Sequence, residues 1–169
     1  ENTLSQMREL VTQCRNHPSI VCWGLSNEIT ASGGVNDDLM ENHRLLNDLC
    51  HRLDPTRPTT MAHAFMLDHH HPLVRLTDIR SYNLYYGWYL GDLEDNDAWF
   101  DAYHAEHPNE VIGLSEYAYL KKFDEDTLMQ KLDSYFALKP PVVVVSRELE
   151  IFPQMLECAQ KYKVPLLRT

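Results

Sequence analysis

The sequence predicts an α/β fold in which helices alternate with parallel strands along its 169 residues. In several stretches apolar residues recur at three- and four-residue spacing, which indicates amphipathic helices. Between these stretches lie short and nearly unbroken apolar runs, which are typical of strands that a parallel sheet buries on both faces. Because the two kinds of stretch alternate, we expect parallel pairing with right-handed crossovers.

Helices and strands are assigned from this pattern in chain order. The first helix has apolar positions from Leu4 to Cys14 and stops before His17-Pro18. The later helices are predicted over residues 37–53, 95–106, 124–136 and 153–162. The strands are predicted over residues 19–25, 59–63, 77–83, 111–115, 142–146 and 165–168.

The net charge limits the kinds of partner that this protein can bind, and the cysteines indicate its redox compartment. With 25 acidic against 15 basic residues the net charge is −10, so nucleic acid and an anionic membrane surface are both disfavoured as partners. No apolar run approaches the roughly 20 residues that span a bilayer. The four cysteines show no CxxC spacing, which favours reduced thiols over disulfides or metal ligands. With no apolar leader at the first residues, we expect a cytoplasmic protein.

The composition changes abruptly near residue 118. Residues 1–118 contain all nine histidines, all three tryptophans and all six glycines, whereas all six lysines follow. The first stretch has 7 Arg against 18 acidic residues, a net charge of −11, and residues 119–169 have 8 basic against 7 acidic residues, a net charge of +1. We predict two domains, 1–118 and 119–169, with separate histories, whose strands form either one merged sheet or two.

Two acidic residues stand at the carboxyl ends of predicted strands. Glu28 ends the first strand and Glu116 ends the fourth, at the carboxyl ends where parallel α/β folds place their chemistry. A retaining glycosidase needs two carboxyl groups about 5–5.5 Å apart, one to protonate the leaving oxygen and one to attack the anomeric carbon. From periodicity alone, a glutamate that ends a strand is more often a helix cap or a solvated loop residue.

The residues around both glutamates resemble glycoside hydrolase family 2, which includes β-galactosidases and β-glucuronidases. The run that leads to Glu28 resembles the acid/base strand of the family: Arg15-Asn16-His17-Pro18-Ser19-Ile20-Val21, then Trp23-Gly24-Leu25-Ser26-Asn27-Glu28. Three further motifs follow in the family's order: Leu53-Asp54-Pro55-Thr56-Arg57-Pro58, Tyr82-Asn83-Leu84-Tyr85-Tyr86-Gly87-Trp88-Tyr89 and Gly113-Leu114-Ser115-Glu116-Tyr117. This resemblance implies that residues 1–118 form strands four to seven, half of a (β/α)8 barrel.

By the same resemblance, Glu28 is the general acid/base and Glu116 the nucleophile. Asn27 would hydrogen-bond the 2-hydroxyl of the sugar, and the pocket wall would comprise Asn83, Tyr85 and Trp88. Aromatic faces suit the apolar C–H faces of a sugar ring. The substrate implied is a β-galactoside, ahead of a β-glucuronide.

Half a barrel leaves two open sheet edges, which a second copy or the C-terminal stretch would close. We therefore expect little activity from the chain alone. No cofactor and no metal is implied. His69-His70-His71, beside Asp68, are interpreted as a solvated loop, because adjacent side chains on one loop rarely converge on one ion.

The C-terminal stretch resembles the N-terminal domain of bacterial HPr kinase/phosphorylase, a Rossmann-like regulatory and assembly domain. The similarity is carried by residues 113–120, 140–150 and 164–169, and it implies an α-β-α-β segment. No GxxxxGK[ST] loop is present to hold phosphates, which excludes phosphoryl transfer. Both resemblances include residues 113–117, so Glu116 can also be a purely structural residue. The competing function is a non-catalytic chimera or a regulatory and assembly domain.

Overall fold

The computed structural model divides the chain into two compact units, Glu1–Ala118 and Tyr119–Thr169. Each unit is described by itself. The structure describes residues 1–31, 33–87, 89–92, 94–110, 112–117, 123–137, 139–140, 142–145 and 150–168, and for Glu116 and Tyr117 the backbone only.

The first unit is built on a four-stranded parallel sheet. Its strands are β1 (Trp23–Asn27), β2 (Thr59–Ala64), β3 (Ile79–Leu84) and β4 (Ile112–Tyr117), which lie side by side in chain order. Its helices are α1 (Asn2–Cys14), α2 (Asp37–Leu53) and α3 (Asp95–Glu106), and a 3-10 turn over Pro72–Arg75 separates β2 from β3. Each neighbouring pair of strands is parallel. The predicted α/β class with parallel strands is thus confirmed.

Two helices cover one face of this sheet. The apolar positions of α1 and α2 bury Val11 and Leu46 against Trp23 and Met61. Asn36 is the N-cap of α2, because its Oδ1 accepts a hydrogen bond of 2.8 Å from the backbone N–H of Leu39. A second cluster forms beneath β3 and α3, with the following buried side chains: Val74, Tyr82, Leu84 and Tyr103.

The prediction for the first strand was wrong at its start, since β1 begins at Trp23 rather than residue 19. Arg57 donates hydrogen bonds to two backbone carbonyls that precede β1. Its Nε donates to Ile20 O (2.7 Å) and its Nη2 to His17 O (3.3 Å). Its Nη1 donates to Asp54 Oδ2 (2.6 Å), which also accepts from Trp23 Nε1 (3.1 Å). We call this pair the Asp54–Arg57 brace. It fixes the chain directly before β1.

The second unit contains α4 (Glu125–Ala137), β5 (Val143–Val145), α5 (Pro153–Tyr162) and β6 (Leu166–Arg168). β5 and β6 pair in parallel, and within the described residues they form a sheet separate from β1–β4. Phe136 and Cys158 lie in a core between the two helices. Asp133 of α4 also links the two helices, because it accepts hydrogen bonds from Lys161 Nζ (2.6 Å) and Tyr162 Oη (3.1 Å) of α5.

All four cysteines are free thiols, as expected. Burial and the nearby carboxylate of Asp54 raise the pKa of Cys50 to about 11, so this thiol is protonated at neutral pH. Across the parts of the chain that the structure describes, every helix is too short or too polar to cross a bilayer.

Acid is expected to destabilise the first unit through His63, a β2 side chain that is 2% exposed. Burial, then the nearby His71 and His43, lowers the pKa of His63 to about 4. The unfolded chain binds this proton below about pH 6.5. The unfolded state therefore holds more protons between pH 6.5 and 4, and stability falls by roughly 1–3 kcal/mol as the pH drops through that range.

This prediction is checked by urea unfolding at several pH values. Tryptophan fluorescence reports the first unit alone, because all three tryptophans lie within residues 1–118. A His63→Phe chain should lose less stability between pH 6.5 and 4 than the unmodified chain. The exposed His17 provides the matched control, His17→Gln. Equal pH dependence in the His63→Phe and unmodified chains would contradict the prediction.

Candidate active site

Glu28 lies directly after β1 in an unusual backbone conformation. Its φ is +46°, a left-handed value that costs a non-glycine residue about 1–2 kcal/mol. The conformation is held because the backbone N–H of Glu28 donates to Ala62 O at 2.8 Å. Strain of this kind concentrates at functional sites.

Both strands that carry the predicted catalytic residues contain an irregularity just before them. In β1, Gly24 pairs with Thr60 and Asn27 pairs with Ala62, so β1 has one extra residue over this step. In β4, Leu114 pairs with Tyr82 and Glu116 pairs with Asn83, which again leaves one extra residue. Such bulges redirect the side chain that follows and occur often beside active sites.

A hydrogen-bonded network, the Asn83 network, links β1 to β3 at this end of the sheet. Asn83 Nδ2 donates to Asn27 Oδ1 (3.0 Å) and to Tyr85 Oη (3.2 Å), and Tyr85 Oη donates to Glu28 Oε1 (3.0 Å). Asn83 is fully buried, and among the described residues its Oδ1 has no hydrogen-bond partner. That oxygen therefore remains as an acceptor for a hydroxyl or amide group.

The network spans β2, which lies between β1 and β3. Ala62 pairs with Asn27, and Ala64 pairs with Asn83. Paired residues of neighbouring strands present their side chains to the same face of a sheet. The two small alanines therefore leave room for the long polar side chains of Asn27 and Asn83 to meet above them.

The structure brings together four of the six residues that the sequence singled out: Asn27, Glu28, Asn83 and Tyr85. Trp88 lies outside the described residues, and so does the side chain of Glu116, whose backbone pairs with Asn83. The aromatic ring of Tyr89 lies 5.3 Å from that of Tyr85. Sequence reasoning missed the two bulges, for which the apolar pattern carries no signal.

Glu28 is half-buried, and it lines neither of two open clefts found among the described residues. A cleft of about 530 Å³ lies beside Asn36 and Pro72 in the first unit. Another, of about 360 Å³, lies beside Asp133 and Lys161 in the second.

Comparison with protein families gives two overlapping matches. Residues 1–133 match the family described as glycosyl hydrolases family 2, TIM barrel domain. Residues 99–169 match the family described as HPr serine kinase N terminus. Both resemblances noted in the sequence are confirmed.

Individual relatives follow the same division. The chain is 39% identical over 117 residues to a β-glucuronidase of Bacteroides fragilis, an alignment that covers 69% of this chain and 16% of that protein. It is 44% identical over 57 residues to an HPr kinase/phosphorylase of Malacoplasma penetrans, covering 34% of this chain and 19% of that protein.

A solved structure matches almost the whole chain. It is described as an FMN-binding β-glucuronidase from Facaelibacterium prausnitzii L2-6, with a TM-score of 0.66 and 31% identity, and the match covers 99% of this chain and 25% of that one. The chain therefore spans a quarter or less of the length of these relatives.

Proposed function

Because the chain belongs to glycoside hydrolase family 2, whose barrel domain matches residues 1–133, we propose that residues 1–118 are part of a retaining glycosidase site with Glu28 as general acid/base. The observation that carries this proposal is the 3.0 Å hydrogen bond from Tyr85 Oη to Glu28 Oε1. It fixes one carboxyl oxygen and leaves the other for a substrate. Residues 119–169 are proposed to be part of an HPr-kinase-like segment.

The reaction would proceed in two steps. Protonated Glu28 gives its proton to the glycosidic oxygen while the Glu116 carboxylate attacks the anomeric carbon, so that the C–O bond breaks and a glycosyl ester forms. Glu28, now ionised, then takes a proton from water, whose oxygen attacks the anomeric carbon and releases Glu116. The bulges before Asn27 and Glu116 support this pairing, since both strands are adjusted at the same end of the sheet.

The remaining residues would bind the sugar. Asn27 is exposed and its Oδ1 is held by Asn83, so its amide N–H groups can donate to a sugar hydroxyl such as the 2-hydroxyl. Tyr85 and Trp88 would form the aromatic wall. Asn83 Oδ1, which has no hydrogen-bond partner in the part of the chain that the structure describes, supports a polar contact at the floor of this site.

The sugar remains to be assigned between two candidates. The sequence prediction favours a β-galactoside. The curated relative with 39% identity is named a β-glucuronidase, which favours a β-glucuronide instead. An assay must therefore offer both sugars, and we put the glucuronide first.

A non-catalytic role is the second candidate, because the HPr kinase match extends over residues 99–169 and includes a compact unit with its own core. In that case the barrel residues would serve as a scaffold. In the described sheet the outer strands β1 and β4 each pair on one side only, so a second copy or further barrel strands could close them.

The first test incubates the chain with an aryl β-glucuronide and an aryl β-galactoside. Slow release of the aryl alcohol that Glu28→Gln abolishes would support the proposal. Glu9→Gln, on the exposed surface of α1, is the matched control and should leave the rate unchanged. A steady rate of release that is as fast in Glu28→Gln as in the unmodified chain would contradict the assignment.

Since the chain covers only part of its relatives, a second test supplies the rest of the barrel. The matching stretch of this chain replaces the 117 aligned residues of the Bacteroides fragilis enzyme. We call this protein the hybrid. A folded hybrid without activity toward either sugar would favour the non-catalytic candidate.

Tyr85→Phe in the hybrid should lower kcat/KM by about 10–100-fold, because a hydrogen bond to a charged group contributes roughly 1.5–3 kcal/mol. Steady-state kinetics with an aryl glycoside measures the loss. Glu9→Gln in the hybrid is the surface control and should leave kcat/KM unchanged. Unchanged kcat/KM in Tyr85→Phe would show that the tyrosine does not position Glu28.

A further inference from the structure

The loop after β2 and the end of α3 bring three metal-ligating side chains together, away from the Asn83 network. His69, Glu106 and His107 each offer one ligand atom, and these atoms lie within 4.8 Å of one another. We propose that this cluster, the His69 cluster, binds a divalent transition-metal ion such as Zn²⁺. Two imidazoles and one carboxylate form a donor set that suits zinc and leaves a fourth position open.

One imidazole nitrogen of each histidine in this cluster is buried. Within the described residues His69 Nδ1 and His107 Nε2 have no hydrogen-bond partner, and His107 is 8% exposed. Leaving a buried polar atom unpaired is unfavourable. A bound cation would satisfy both nitrogens at once.

The two histidines are held in place before any ion binds. The ring of His69 is stacked on Trp99 (6.1 Å between centroids, 7° between planes) and on Tyr103 (5.5 Å, 23°). The ring of His107 packs on Tyr103 at 4.8 Å. Aromatic packing therefore fixes the imidazole orientations, so that little ordering is needed when an ion enters.

A carboxylate lies behind His107, as is usual for histidines that bind metals. His107 Nδ1 lies 3.6 Å from Glu110 Oε2, while His107 Nε2 lies 4.0 Å from Glu106 Oε2. Glu110 is itself held by Arg80 Nη1 (3.2 Å) and by Tyr103 Oη (3.3 Å). Glu110 therefore lies on the Nδ1 side of the His107 ring, and Nε2 is the ring nitrogen on the side of Glu106.

Glu106 is the exposed ligand of the cluster, on the side from which an ion could enter. Its side chain is 50% exposed, and its Oε2 also lies 3.8 Å from Nε2 of the exposed His70. Ligand atoms around tetrahedral zinc are about 3.3 Å apart, so a rotation of the Glu106 side chain can close the cluster. The charge of −11 over residues 1–118 attracts a cation to this unit.

Zinc binding is measured by isothermal titration of the full chain with Zn²⁺, after treatment with a chelator. One equivalent should bind. Glu106→Gln keeps the size of this exposed side chain but removes a direct ligand. It should weaken Zn²⁺ binding by roughly 10–100-fold or more, since losing a residue that only orients a ligand already costs that much. Glu110→Gln should weaken it by about 10–100-fold through His107. Circular dichroism verifies that each variant is folded.

Two controls make the result specific to the cluster. His17→Gln removes an exposed histidine and should leave the affinity unchanged. Mg²⁺, which prefers oxygen ligands, should not compete with Zn²⁺. The proposal is overturned if no Zn²⁺ binds, if Glu106→Gln binds it as tightly as His17→Gln does, or if Mg²⁺ competes at equal concentration.

Discussion

Glu28→Ala in the hybrid is expected to lower turnover of an aryl glycoside by about 10²–10⁴-fold, the range that general acid/base catalysis contributes. The loss should be greatest for substrates with a poor leaving group, because these depend most on the donated proton. With a good leaving group the glycosyl ester still forms, and its hydrolysis becomes limiting because no base activates water.

Azide separates an acid/base role from a structural one. As an anionic nucleophile it needs no general base, so it should restore turnover of the Glu28→Ala hybrid on a substrate with a good leaving group and yield a β-glycosyl azide. The same addition should not help Glu9→Ala, the surface control. If azide fails while the glycosyl ester accumulates, or if all substrates lose activity equally, Glu28 is not the acid/base.

Asp54→Ala is expected to cost about 3–5 kcal/mol in the free energy of unfolding of the first unit, because it leaves a largely buried Arg57 without its partner. Asp54 is 5% exposed. Hydrogen bonds from Thr56, then from Arg57 and Trp23, outweigh burial and lower the pKa of Asp54 to about 2. Urea unfolding followed by tryptophan fluorescence measures the loss.

Acid should remove the same interaction. Because the folded pKa is depressed, the stabilisation is present above about pH 4, where the unfolded chain also ionises, and is lost as the pH falls toward 2. Asp54→Asn should abolish this acid limb, whereas Asp48→Asn, an exposed aspartate of α2, should retain it. In a double-mutant cycle with Arg57→Ala, strictly additive losses would contradict the brace.

Much of the fold is predictable from local sequence. The helices over 37–53, 95–106 and 153–162 match α2, α3 and α5 residue for residue, because their apolar spacing and end signals agree. β1 was placed too early because an apolar run shows burial but not which groups donate hydrogen bonds to its backbone carbonyls. Arg57 donates hydrogen bonds to the carbonyls of His17 and Ile20, which lie 40 and 37 residues earlier in the chain. Periodicity cannot reveal contacts of this kind.

The sequence predicts which residues belong to the candidate site, but not the backbone geometry that holds them. Motifs brought Asn27, Glu28, Asn83 and Tyr85 to attention, and these four form one network. The left-handed φ of Glu28 and the two bulges depend on pairing between strands, which a single sequence does not encode locally. The His69 cluster was missed for a similar reason, since His69 finds its partners on α3 rather than on its own loop.

We propose that Glu28 and Glu116 act as a pair across one glycosidic bond. The most direct measurement is the separation of their carboxyl groups in a crystal structure of the chain or the hybrid. We predict about 5–5.5 Å, with both groups on the same face of the sheet. A separation beyond about 6.5 Å, where inverting enzymes begin, or carboxyl groups on opposite faces, would contradict the retaining mechanism.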